Sequence, residues 1–188
     1  SRIHFDYTIS GSNQIKDGYK FTNMGIYSMD IYYDGEYTGL SFEIMALDPA
    51  VTGDLLDNGS YTIGLNGKYL KIVGGYIELW DTLPADKFII KLVNYDSKRG
   101  PMYYIMTEDG QYVGQRSSSQ GDQLIIKSTP HVWRINKYSK FCTIRDYGKQ
   151  DMIVNASGQS SANGTKIIIW SHKGSAPEHA KASFTSVK

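Results

Sequence analysis

Cys142-Thr-Ile, Asp151-Met-Ile-Val and Lys166-Ile-Ile-Ile-Trp170, followed by a closing apolar position near Phe184, run through the last quarter of the chain. Their order decides the fold. Each is a short, strand-like apolar or alternating segment. Moving towards the N-terminus, the same order recurs about 40 residues earlier as Tyr103-Tyr-Ile, Gly110-Gln-Tyr-Val, Gln123-Leu-Ile-Ile and His131-Val-Trp-Arg-Ile. It recurs once more as Tyr61-Thr-Ile, Gly67-Lys-Tyr-Leu, Ile77-Glu-Leu-Trp80 and Phe88-Ile-Ile. Ile63, Ile105 and Ile144 hold equivalent places in the three runs.

This pattern predicts an all-β chain whose residues 56–188 form a β-trefoil of three repeats, each with four short strands. No single repeat can bury its own apolar face. Three repeats around a pseudo-threefold axis can, by closing a six-stranded barrel and capping it with three hairpins, whereas a propeller needs at least four blades. Turn signals separate the strands at Asp34-Gly, Asp57-Asn-Gly, Asn66-Gly, Asp109-Gly and Asn163-Gly, where glycine supplies the positive φ of tight hairpins. No amphipathic helix of useful length is present. Residues 1–55 fall outside the repeat. Phe5-Asp-Tyr-Thr-Ile, Tyr19-Lys-Phe, Met29-Asp-Ile-Tyr-Tyr and Leu40-Ser-Phe-Glu-Ile-Met predict an N-terminal β appendage, a meander or part of a small sandwich. A rival phasing ends that sandwich at Tyr61-Thr-Ile63 and leaves the trefoil incomplete.

Ser161-Ala-Asn-Gly-Thr-Lys-Ile-Ile-Ile-Trp170 resembles the ricin-B-type lectins, which repeat a small-residue loop, Asn-Gly-Thr, alternating aliphatics and then Trp. The Gln-x-Trp mark of that family is matched by Asp86-Lys-Phe, His131-Val-Trp and Ala180-Lys-Ala, of which only the second keeps the tryptophan. The resemblance implies sugar binding through an Asp after the second strand, an aromatic ring under the pyranose, and Asn or Gln reaching hydroxyls. Alignment with the family places Lys71, Gly114, and Ile153 or Val154 where the Asp would stand, so no repeat retains that carboxylate. In the third repeat the resemblance points to Trp170 for stacking, Asn155 on the second-strand loop and Glu178-His179 for hydroxyls, with His172 alongside. In the first it points to Trp80, with Asp81 and Asp86 as displaced carboxylates. The second, with Ile125-Ile126 in place of an aromatic, is expected to hold no sugar. The alternative role for Trp170 and Trp80 is packing against the barrel.

The implied function is a non-catalytic, lectin-like module binding glycan or polysaccharide. The alternative is a structural, protein-binding or inhibitor-like trefoil whose sugar sites have decayed and whose Lys71–Tyr76 and Ser117–Asp122 loops meet a protein partner. A formal charge of +1 without long runs of one sign disfavours nucleic acid, which needs clustered positive charge. No stretch approaches the roughly 20 apolar residues of a membrane span. The lone Cys142 occupies an apolar strand position and reads as a core residue. His172, Glu178 and His179 are metal-ligand types without diagnostic spacing, so neither a metal nor a cofactor is expected. No nucleophile elbow, zinc-helix motif or phosphate loop is found, which argues against enzyme activity. The 15 tyrosines favour an extracellular or cell-surface setting.

Overall fold

The computed structural model describes residues 6–9, 14–15, 25–46, 55–96 and 98–187. The chain divides into two compact units, Ser1–Gly53 and Asp54–Lys188. Among the described residues no helix is long and apolar enough to cross a membrane.

The N-terminal unit contains an antiparallel sheet of β1 (Asp6–Ile9), β2 (Gln14–Ile15), β3 (Gly25–Tyr33) and β4 (Glu36–Ala46), in the order β2-β1-β3-β4. Asp34 and Gly35 both have positive φ, the backbone of a two-residue hairpin turn that matches strand twist. The ladder slips between Asp30 and Tyr32, and there Thr38 Oγ1 donates to Ile31 O at 2.8 Å. The expected Tyr19-Lys-Phe strand lies outside the described residues.

Among the described residues the C-terminal unit contains twelve strands, taken below in chain order as three groups of four. The first group is β5 (Gly59–Leu65), β6 (Lys68–Val73), β7 (Tyr76–Trp80) and β8 (Phe88–Asp96). The second is β9 (Gly100–Met106), β10 (Tyr112–Gly114), β11 (Ile125–Lys127) and β12 (Trp133–Lys137). The third is β13 (Cys142–Asp146), β14 (Met152–Ala156), β15 (Thr165–Ser171) and β16 (Ala182–Ser186).

The outer strands of each group pair β5–β8–β9–β12–β13–β16 and back to β5. Six strands thus form a closed, barrel-like ring, and closure removes the exposed edges along which sheets aggregate. The inner strands form hairpins β6–β7, β10–β11 and β14–β15. These meet one another through Ile125↔Tyr76, Thr165↔Leu79 and Gln123↔Ile168. Ile77 N–H donates to Leu124 O at 3.0 Å and Leu124 N–H to Ile167 O at 2.9 Å. Ile77, Leu124 and Ile167 are almost wholly buried where the hairpins converge.

Strand alternation supplies the core: Tyr61, Ile63 and Leu65 of β5, Tyr103 and Ile105 of β9, and Trp133 and Ile135 of β12 all point inward. The positions matched to Gln-x-Trp are core positions in every group, with Phe88, Trp133 and Ala182 all buried. The Trp133 indole N–H donates to Val113 O at 2.8 Å, which satisfies the one polar atom of a buried ring. Tyr103 closes the ring against the entering chain, accepting from Leu56 N–H at 2.9 Å and donating to Leu56 O at 3.2 Å. Cys142 lies in the same core, where burial pushes its thiol pKa up; the protonated, covered sulfur is a poor nucleophile.

Where β10 meets the second closing strand, glycine matters. A Cβ on Gly114 would stand 2.6 Å from Lys127 Cδ and 3.0 Å from His131 Cβ. His131 itself is largely covered, lies tilted against Trp133 with ring centroids 4.5 Å apart, and has its Nε2 3.7 Å from Asp146 Oδ1. Burial, helped by Lys127 and opposed by Asp146, lowers the His131 pKa below its ordinary 6.5. The folded state therefore resists a proton that the unfolded chain accepts, so stability falls as pH drops below about 6.5 and levels off below the folded pKa. Denaturant midpoints measured across the histidine range should show this slope, reduced in His131→Gln. An equal slope in that variant would leave the effect to His179, whose pKa is also lowered.

Candidate functional site

The β6–β7 hairpin has one face in the core and one outside it. Leu70, Ile77 and Leu79 are buried, so the alternate positions Tyr69, Lys71, Glu78 and Trp80 share the outer face, all half-buried. Register puts Tyr69 opposite Trp80 and Lys71 opposite Glu78. The Trp80 indole N–H donates to Glu78 Oε2 at 3.0 Å, fixing the ring beside a carboxylate. An indole face is apolar and suits C–H groups, while a carboxylate accepts hydroxyl protons strongly.

The rim of this face is built by the Asn163-Gly-Thr turn of the third group, and each residue of that motif has a task. Asn163 Nδ2 donates to Asp81 Oδ1 at 2.8 Å, and its Oδ1 accepts from Asp81 N–H at 3.2 Å and from Lys68 Nζ at 2.5 Å. Gly164, at positive φ, donates its N–H to Leu79 O at 2.8 Å, and a Cβ there would lie 3.8 Å from the Trp80 ring. Thr165 Oγ1 closes the turn on Ala162 O at 2.7 Å. Lys68 Nζ also stands 3.4 Å from Asp81 Oδ2. The Asn163 amide first, and then Lys68, hold the Asp81 carboxyl below the usual carboxylate range. Asn66 Nδ2 adds bonds to Gln159 O at 3.1 Å and Ser160 O at 2.9 Å, tying the β5–β6 turn to the same loop.

Asp86, the other carboxylate expected near Trp80, faces elsewhere. Its Oδ2 accepts from Ile72 N–H at 2.6 Å. It lines a separate cavity of about 560 Å³ with Ile72, Pro84, Thr107, Glu108 and Asp109, to which Trp80 does not contribute.

Around the third hairpin the polar groups do not converge in the same way. Trp170 is 47% exposed and lies against the neighbouring loop, where a Cβ on Gly121 would be 3.7 Å from its ring. Ile153 stands opposite Trp170 and Asn155 opposite Ile168, and all three partners are buried. Asn155 spends its amide on Ile153 O at 3.1 Å. His172 Nε2 donates to Ser175 O at 2.6 Å, and its own carbonyl accepts from Arg145 Nη1 at 2.8 Å. Glu178 is exposed and ion-paired with Lys181. Burial, then the neighbouring His172, holds the His179 imidazole below its ordinary pKa. Among the described residues no three His, Cys, Asp or Glu side chains gather as metal ligands.

The hairpin registers correct two placements. Lys71 faces Glu78, Gly114 faces Ile125 and Asn155 faces Ile168. The residue equivalent to Lys71 in the third group is therefore Asn155, not Ile153 or Val154. Likewise Lys127, opposite Tyr112 as Trp80 is opposite Tyr69, takes the aromatic place in the second group. Its stem and His131 fill the space over Gly114.

Glu78, Tyr69, Lys68 and Asn163 were not singled out from the sequence as site residues. Glu78 was within reach, because it lies two positions before Trp80 and period-two alternation puts both on one face. Lys68 and Asn163 are 95 residues apart, and only the closure of the ring joins them.

No family model matches the chain, and no curated protein matches it. Solved structures do. The agglutinin of Rhizoctonia solani is similar at 20% identity and a TM-score of 0.59, covering 71% of this chain and 98% of its own. The ricin B-like lectin of Macrolepiota procera, solved in complex with lactose, is similar at 16% identity and 0.58, covering 71% and 99%. ThreeFoil, a designed threefold-symmetric protein, is similar at 16% identity and 0.58, covering 69% and 99%. With the closed ring of six strands and its three converging hairpins, these likenesses establish that the chain carries the ricin-B-type lectin fold.

Proposed function

We propose that residues 56–188 are a three-repeat β-trefoil acting as a non-catalytic carbohydrate-binding module, preceded by an N-terminal β appendage and belonging to a secreted or cell-surface protein. The observation that carries the function is the outer face of the β6–β7 hairpin. There a half-buried indole is locked onto Glu78, and Asp81, Asn163 and Lys68 form a prearranged polar rim. An apolar ring beside fixed acceptors and donors is what a pyranose needs, and fixing the groups before binding lowers the ordering cost. Lectin neighbours, one of them bound to lactose, support the same reading. Trp170, Asn155, His172, Glu178 and His179 form a second, weaker candidate, because Asn155 is buried and already bonded. Asp86 belongs with its own cavity.

Calorimetric titration with a panel of mono- and oligosaccharides tests the reading. Binding in the millimolar to micromolar range is expected, since a shallow site buries little area; no heat with any sugar in the panel would refute it.

A second reading makes the trefoil a structural or protein-binding module. Its support is that Lys127 and His131 fill the second hairpin's face and that the third lacks a free amide. A protein partner that stays bound in excess sugar, contacting Lys71–Tyr76 or Ser117–Asp122, would favour it.

A further inference from the structure

Lys71 stands out on the Trp80 face. Among the described residues its ammonium takes part in no ion pair and no side-chain hydrogen bond, although it is half-buried and directly opposite Glu78. The other lysine at this face, Lys68, is already committed to Asp81 and Asn163. Glu78 uses Oε2 for the Trp80 indole, which leaves Oε1 for a ligand hydroxyl. One free cation and one free acceptor therefore flank the ring. Directly opposite strand positions lie about 5 Å apart and diagonal ones about 7–8 Å apart, so Lys71 and Trp80 are within the span of one sugar carrying an exocyclic group.

We propose that this face selects sugars bearing a carboxylate, the hexuronic acids, with the sugar ring on Trp80, its carboxylate on Lys71 and a hydroxyl on Glu78. A single negative charge fits. The charges of Lys68 and Asp81 cancel, and Glu78 balances Lys71 across the strands, so the face offers one unpaired ammonium for a single carboxylate and no net positive charge to hold a polysulfated chain. The proposal rests on the carbohydrate reading above and goes further by assigning the ligand class.

The test uses the full chain and three probes: an oligogalacturonate, its methyl ester and a neutral galactose oligomer of equal length. The acid should bind about tenfold or more tightly than its ester, as a charge-assisted hydrogen bond predicts. That gap should shrink in high salt, which screens a partly exposed charge. K71Q should abolish the gap. Equal binding of acid and ester by the unsubstituted protein would overturn the proposal, as would a preference that survives K71Q. Trp80-dependent binding of the neutral oligomer without preference for the acid would overturn it and leave the carbohydrate reading standing. Failure of all three probes would overturn it too, and extending that failure to the wider sugar panel would overturn the carbohydrate reading with it.

Discussion

Trp133→Ala is expected to destabilise the C-terminal unit by about 3–5 kcal/mol, the range for removing a large aromatic from a packed core. Trp133 has no exposed surface, and the lost ring would open a void among Tyr103, Ile135 and the other ring strands. It would also strand Val113 O, which receives the indole N–H, and remove the ring against which His131 lies. Trp133→Phe keeps most of the volume and should cost less, about 1–3 kcal/mol, mainly for the unpaired carbonyl. Urea unfolding followed by circular dichroism would read both. A shift in midpoint without a change in slope is the expected signature, and an alanine variant within about 1 kcal/mol of the parent would contradict the packing role.

Trp80→Ala should weaken sugar binding by roughly 30-fold or more, the loss of a central aromatic anchor. The same change at Trp170 should cost much less. Both rings border a glycine from a neighbouring loop, but only Trp80 has a carboxylate fixed on its indole and an Asp–Asn–Lys network at its edge. Titration of the two variants against one sugar compares them directly. Trp80 is half-buried, so its variant should remain folded, which thermal unfolding can verify. A larger loss at Trp170 than at Trp80 would move the site to the third hairpin.

These two tryptophans are alike in sequence and unlike in surroundings. Trp80 and Trp170 end similar runs, Ile77-Glu-Leu-Trp80 and Lys166-Ile-Ile-Ile-Trp170, and the sequence treats them as equivalents. Their surroundings differ because Glu78 is ionic and Ile168 apolar at the matching register position. Alternation alone could have revealed that difference. The alignment of Ile153 or Val154 with Lys71 failed for another reason: hairpin register depends on the turn as well as the pattern, and the β6–β7 and β14–β15 turns differ in length.

The all-β class and the strand segments follow from the sequence by itself, because period-two alternation and turn signals are local properties that each segment carries. Ile63, Ile105 and Ile144, which hold equivalent places in the three runs, are all buried. The Asn163-Gly-Thr turn was recognisable too, but as a mark without a role. Only the tertiary structure turned it into the rim of a face on the first hairpin, bringing Asn163 to Asp81 and Lys68. It also sent Asp86 to a different cavity and buried Asn155. Those outcomes depend on which segments become neighbours when the ring closes, and hydrogen bonds across more than 80 residues leave no local signal in the chain.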